Sequence, residues 1–160
     1  AGAFAHALKY DSHLIAQEFI PGREVTCGVL ERGDNKKPEA LAPIEIVPPA
    51  GSDFFDYQVK YNGATQEVCP AEFYGAMLVK IQETALQVHQ ALGLRHYSRT
   101  DMIIKPSSAT RRAPEIYVLE ANTLPGLTGE SLFPKAARHA GFGMPTLTAH
   151  LVELAVTSRA

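Results

Sequence analysis

Tyr97-Ser98-Arg99-Thr100-Asp101-Met102-Ile103-Ile104 and, beyond a polar loop from Lys105 to Pro114, Glu115-Ile116-Tyr117-Val118-Leu119-Glu120-Ala121 decide the fold. Both runs are rich in β-branched and aromatic residues, and the Ser-, Arg- and Pro-rich stretch between them turns the chain. They read as an antiparallel hairpin. A strand's period of two puts Arg99 and Asp101 on one face of the first run, and Glu120 and Asn122 on one face of the second. With the turn centred near Ala109-Thr110, residues whose numbers sum to about 219 lie opposite each other. That register sets Arg99 against Glu120 and Asp101 near Val118.

Upstream, Leu14 to Ile20 and Val25 to Leu30 read as two strands around the turn-forming Pro21-Gly22. The polar stretch Arg32 to Pro38 turns the chain again, and Ala40 to Val47 returns as a third strand in an antiparallel meander. Ala50 to Pro70 has little periodicity but carries Phe54, Phe55, Tyr57 and Tyr61, and reads as a long functional loop. Glu72 to Leu92 is a helix, because Tyr74, Leu78, Ile81, Ala85, Val88 and Leu92 recur at spacings of four and three, and Gly93 ends it. Past the hairpin, Ser131 opens a helix with Pro134 in its first turn, ending at Gly141. Pro145 opens a last one with a Leu147, Leu151, Leu154 stripe. The class is α+β, an antiparallel sheet with packed helices, in one domain over residues 1–160. The start, Ala1-Gly2-Ala3, reads as the middle of a helix and suggests a piece of a longer protein.

Composition narrows the function classes. The 160 residues hold 15 Lys+Arg against 17 Asp+Glu, a net charge of −2, with no run of like charge. A nucleic-acid binder or a polybasic membrane anchor needs a dense cationic face, so neither partner is expected. No apolar run approaches the roughly 18 residues that span a bilayer. The two cysteines, Cys27 and Cys69, match no metal-binding spacing and are too few for a disulfide framework, which suits a reducing cytoplasm.

The polar residues in the hairpin point to chemistry. Asp101, Glu120 and Asn122 are hard oxygen donors suited to Mg²⁺ or Mn²⁺, and a guanidinium beside them suits a phosphate held by that metal. Ordinary cross-strand ion pairs on a wetted face are the alternative. Immediately after, Thr123-Leu124-Pro125-Gly126-Leu127-Thr128-Gly129-Glu130-Ser131 runs into a helix N-terminus, where free N–H groups receive a carboxylate or phosphate. Plain N-capping by Ser131 is the alternative there.

Glu18-Phe19-Ile20-Pro21-Gly22-Arg23-Glu24-Val25-Thr26, Phe55-Asp56-Tyr57 with Lys60-Tyr61, Arg99 with Asp101, and Leu119-Glu120-Ala121-Asn122-Thr123-Leu124-Pro125-Gly126 with Ser131-Leu132 together resemble the D-alanine-D-alanine ligase family, in the family's order. The resemblance covers Leu14 to the C-terminus. It implies the C-terminal lobe of an ATP-grasp fold, in which two α+β lobes hold ATP. The N-terminal domain and the first grasp lobe lie upstream, so the piece alone is expected to be inactive.

By that resemblance, Gln17, Glu18, Phe19 and Ile20 form the linking strand that meets the adenine edge, and Glu24 binds the ribose hydroxyls. Lys60 and Tyr61 lie in the loop that closes over the phosphates. Arg99 contacts the transferred phosphoryl group, and Asp101, Glu120 and Asn122 hold two Mg²⁺ (or Mn²⁺) ions. Gly126, Ser131 and Leu132 receive the second substrate's carboxylate. The implied reaction is ATP-dependent ligation of two D-alanines through an acyl phosphate, for peptidoglycan synthesis in the cytoplasm. The resemblance leaves a homodimer open.

Two positions depart from the family. Gln17 replaces a common acidic residue, though its side-chain oxygen can still accept a bond from the adenine amino group. Gly129-Glu130 stands where the family often has His before the serine, which leaves an amine or a hydroxy acid as second substrate. Another ATP-grasp carboxylate-amine ligase and a non-catalytic binding module are the alternatives.

Overall fold

The computed structural model describes residues 2–32, 37–49, 65–106 and 114–157. Its elements are, in chain order, α1 (Gly2–Ala7), β1 (Arg23–Arg32), β2 (Lys37–Ala40), β3 (Ile44–Val47), β4 (Gln66–Val68), α2 (Gly75–Ala91), β5 (Tyr97–Lys105), β6 (Glu115–Asn122), α3 (Leu132–His139) and α4 (Met144–Thr157). The described strands form one antiparallel sheet in the order β4-β3-β1-β5-β6, with β2 also paired to β1. The α+β class and the packed helices match the sequence reading, and residues near the start are helical in α1.

The sheet is not a simple meander. β1 is its centre, paired with β2 and β3 on one side and, through the return after α2, with β5 on the other. Leu14 to Ile20 is not a strand: among the described residues it pairs with nothing in the sheet, and Gln17, Glu18 and Phe19 are exposed. Of the expected third strand Ala40 to Val47, Ile44 to Val47 forms β3, whereas Ala40 ends β2, which begins at Lys37 within the stretch read as a turn; Pro43, with no N–H to give a ladder, lies between them. The segment read as one long loop contains the short strand β4.

Two cores hold the sheet from opposite faces. On one, α2 buries Ile81 and Ala85 against Val25, Cys27, Val29, Met102 and Ile104. On the other, Phe133, Ala136 and Ala137 of α3 and Leu147 of α4 meet Leu30, Leu41, Ile44 and Ile46. Each large aliphatic side chain fully removed from water contributes about 1.5–3 kcal/mol, so the odd and even positions of β1 clamp different helices.

The helices deviate from expectation at their ends. Tyr74 is extended and exposed, so α2 begins at Gly75, and its inner stripe is Ile81, Ala85 and His89. Leu92 lies outside the helix and is exposed, and Gly93 at φ +61° takes the left-handed turn that ends it. In α4, Leu147 and Leu154 are buried and Leu151 packs half-buried against the same cluster.

The β5–β6 hairpin forms, with its register two residues from expectation at Arg99 to Asp101 and one residue from it beyond Met102. Arg99 pairs with Asn122 and Asp101 with Glu120; beyond a bulge, Met102 pairs with Val118. A slip of two keeps Arg99, Asp101, Glu120 and Asn122 on one face, whereas beyond the bulge Val118 pairs with Met102 and so leaves the face it was expected to share with Glu120.

Candidate active site

α3 and α4 cover the Leu30 end of their face, and among the described residues no helix covers its Thr26–Glu24 end. Strand register places Glu24 and Thr26 of β1, Arg99 and Asp101 of β5, and Glu120 and Asn122 of β6 together on that open half. A concavity there is lined by Glu24, Thr26, Glu67, Arg99, Asp101 and Leu132. Polar side chains in these strands therefore mark the part of the sheet that, among the described residues, no helix buries.

Asp101 is the best-held group. Arg99 grips it through two parallel bonds, Nε to Oδ1 at 2.9 Å and Nη2 to Oδ2 at 2.8 Å. The Thr26 hydroxyl donates to Oδ1 at 2.5 Å from the neighbouring strand. Desolvation opposes the Arg99 charge, but the bond and charge of Asp101, with the charge of Glu120 beside it, raise its pKa above the usual value. Arg99 is a fixed cation at any physiological pH. The ion-pair alternative of the sequence reading is thus realised between Arg99 and Asp101, along one strand rather than across two.

Asp101 and Glu120 stand opposite each other, and residues so paired have Cβ atoms about 4.5–5.5 Å apart. Asn122 Oδ1 accepts the Leu124 N–H at 3.0 Å, which fixes the amide at the start of the following loop. Two carboxylates and an amide oxygen are a fitting donor set for a hard divalent cation of the Mg²⁺ type, which is commonly held by one or two carboxylates and completed by substrate phosphates. Among the described residues no group of three His, Cys, Asp or Glu gathers to form an all-protein site.

The loop after β6 closes on itself at Ser131. Its Oγ accepts the Thr128 N–H at 3.2 Å and lies 2.7 Å from the Thr128 hydroxyl, while making no cap bond to α3. Plain N-capping is therefore not its role here, and the first N–H groups of α3 are left without a side-chain cap. A Cβ on Gly126 would lie 2.8 Å from Ser131 Oγ, so the loop backbone approaches the hydroxyl as closely as a side chain would forbid. Leu132 joins the concavity wall and packs on the α3 core.

Other expected residues are more scattered. Ile20 is buried, and Gln17 to Phe19 are exposed on the way into β1. The Tyr117 hydroxyl is pushed up in pKa chiefly by its bond to Glu115, with the charge of Glu18 adding to it, so Glu18 lies within electrostatic reach of β6. Lys60 and Tyr61, with Phe54 to Tyr57, lie outside the described residues. Thr26 and the Lys135–Glu67 ion pair, 2.6 Å long between α3 and β4, were not singled out in the sequence. Thr26 was within reach of the same argument that found Arg99 and Asp101, since Glu24 and Thr26 alternate along one strand. Glu67 and Lys135 are far apart in sequence and left no local signal.

Among the described residues no helix is long and apolar enough to cross a membrane, and Cys27 and Cys69 are both free. Burial pushes the Cys27 thiol up to about 12.

The family profile described as "D-ala D-ala ligase C-terminus" matches residues 1–153. The D-alanine-D-alanine ligase of Syntrophobacter fumaroxidans is 41% identical over 157 residues, which is 98% of this chain and 47% of that protein. The crystal structure of D-alanine-D-alanine ligase from Bacillus anthracis superposes with a TM-score of 0.75 at 31% identity, over 99% of this chain and 48% of that one. The structure of the same organism's ligase complexed with ATP gives 0.67 at 28% identity, over 89% of this chain and 41% of that one. The chain thus spans under half the length of the relatives it matches.

Proposed function

This chain belongs to the D-alanine-D-alanine ligase C-terminal family, and from that premise we propose that it is the C-terminal ATP-grasp lobe of an enzyme joining two D-alanines into D-alanyl-D-alanine. The observation that carries the reading is the juxtaposition of Arg99, Asp101, Glu120 and Asn122 on the uncovered half of the sheet, next to the Gly126–Ser131 loop.

In the proposed reaction a carboxylate oxygen of the first D-alanine attacks the γ-phosphorus of ATP and ADP leaves. The amine of the second D-alanine then attacks the acyl carbon, expels inorganic phosphate and loses a proton. No protein nucleophile is required, so the residues act by position and charge. Arg99 neutralises the transferred phosphoryl group, and Lys60 and Tyr61 attend the phosphates from the segment before β4. Gln17 to Ile20 meet the adenine and Glu24 the ribose. Gly126, Ser131 and Leu132 receive the second substrate's carboxylate, where α3 N–H groups without a side-chain cap favour an anion. Asp101, Glu120 and Asn122 would hold two Mg²⁺ ions, which supply charge neutralisation of the phosphates when bound.

The rest of the ATP site would come from an N-terminal part of the same enzyme, a cytoplasmic protein serving peptidoglycan precursor synthesis. The 160-residue chain alone is expected to give no turnover.

The test is to express the open reading frame containing this chain and supply ATP, Mg²⁺ and D-alanine. D-alanyl-D-alanine by mass spectrometry, with one phosphate released per dipeptide, is expected. Parallel reactions with D-serine and D-lactate decide the second substrate, which Gly129-Glu130 leaves open. Folded protein that forms no product with any of the three overturns the reading.

A further inference from the structure

We propose that Thr26 is a positioning residue for the Asp101 carboxylate, a role that rests on the reading of Asp101 as a metal ligand. Thr26 sits in the central strand directly opposite Asp101 and is 4% exposed. Its hydroxyl has one proton and two acceptors in reach, Asp101 Oδ1 at 2.5 Å and the Thr100 carbonyl at 3.4 Å. The shorter contact, to an ionised oxygen, takes the proton.

The arrangement divides the carboxylate unequally. Oδ1 receives Thr26 Oγ1 and Arg99 Nε, whereas Oδ2 receives Arg99 Nη2. Both lone-pair sites of Oδ1 are thus taken, and Oδ2 keeps one for a cation. Arg99, however, has a second task in the proposed reaction, at the phosphoryl group. When its guanidinium turns there, the Thr26 bond continues to fix the rotation of the carboxylate. Thr26 suits this work because its β-branched side chain is stiff at χ1 and it lies within the buried run of the central strand. A valine would fill the same space without the cost of burying a hydroxyl, so the hydroxyl is there for its partner.

A merely structural threonine would stabilise the β1–β5 pairing and leave cation binding alone. The two roles separate in the protein expressed from the whole open reading frame, carrying Thr26→Val or Thr26→Ser. Mn²⁺ binding in the presence of ADP, followed by the loss of the free-ion electron paramagnetic resonance signal, gives a readout independent of turnover. Thr26→Val is expected to weaken Mn²⁺ binding by about tenfold, as is common for residues that orient a ligand, and Thr26→Ser to restore it to within about twofold. Thr26→Ala serves the same purpose should the valine variant fail to fold. Wild-type Mn²⁺ affinity in a folded Thr26→Val or Thr26→Ala protein overturns the proposal. Asp101→Asn is measured alongside. If it binds Mn²⁺ as the wild type does, the reading of Asp101 as a ligand falls and the proposal with it; if it weakens binding while Thr26→Val does not, the proposal alone falls.

Discussion

Asp101 and Glu120 face each other across β5 and β6, yet among the described residues the Arg99 guanidinium chelates Asp101 and leaves Glu120 exposed. The two carboxylates thus differ in what they contribute to the metal-free protein. Asp101→Asn removes the charge that two Arg99 N–H groups and Thr26 address, and is expected to cost about 1–3 kcal/mol. Glu120→Gln removes a like charge from the opposite position and is expected to leave stability unchanged or slightly raised. Urea unfolding without metal or nucleotide checks both. Equal losses from the two substitutions would show that the Arg99 pair carries no particular weight. In the catalytic assay both variants are expected to lose on the order of a hundredfold or more.

Gly126→Ala places a methyl group 2.8 Å from Ser131 Oγ. Ser131 is a short side chain held by Thr128, so it yields only by breaking those bonds. The KM for the second substrate is expected to rise by about tenfold, the loss of a hydrogen bond to a charged group, with the KM for ATP unchanged. Steady-state kinetics with each substrate varied in turn checks this. A rise in the ATP KM alone would place the loop at the nucleotide instead.

The polar pairs and the packed helices could be read from the sequence because they depend on periods, two for the strands and 3.6 for the helices. Register could not. Between Glu120 and Val118, Leu119 is the extra residue of a bulge, and no local preference announces where a ladder absorbs one. Register also depends on the connecting residues 107–113, whose composition suits many loop shapes. Leu14 to Ile20 has the composition of a strand, but a strand needs a partner, and the sheet's described ladders leave it none. His89 interrupts an apolar stripe and so was passed over, although Ser98 satisfies its Nδ1 in the core. Thr26 was hidden by its ordinariness: threonine is common in strands, and its alternation with Glu24, though legible, gains its meaning from the register that sets it opposite Asp101.

Lys135 joins α3 to β4 through Glu67 at 2.6 Å, with Glu130 at 3.6 Å. The bond to Glu67 is the main reason its pKa is raised. Both side chains are partly exposed, so the pair is worth no more than about 1 kcal/mol. A double-mutant cycle with Lys135→Met and Glu67→Gln is expected to give a coupling within that limit, smaller at high salt. A coupling insensitive to salt would mean that the pair is shielded from solvent.

His89 supplies a pH dependence whose sign is fixed by burial. The side chain is 2% exposed, its Nδ1 lies 2.8 Å from Ser98 Oγ, and its Nε2 lies 4.0 Å from Glu31 Oε1. Burial lowers the imidazole pKa below the usual 6.5, and the charge of Glu31 offsets this in part. Between the folded and unfolded values the unfolded chain binds more protons, so stability rises with pH there. The contribution is complete above about pH 6.5 and is lost as the pH falls through that value toward the lower folded pKa, with a slope of at most about 1.4 kcal/mol per pH unit. His89→Asn removes the titrating group, and its stability is expected to vary less with pH than that of the wild type between about pH 7.5 and pH 5.5. Chemical unfolding at intervals across that range measures the difference. Parallel curves would mean that His89 meets the same environment folded and unfolded, whereas a wild type that gains stability on acidification relative to the variant would mean that Glu31 outweighs burial and holds the imidazolium in the core.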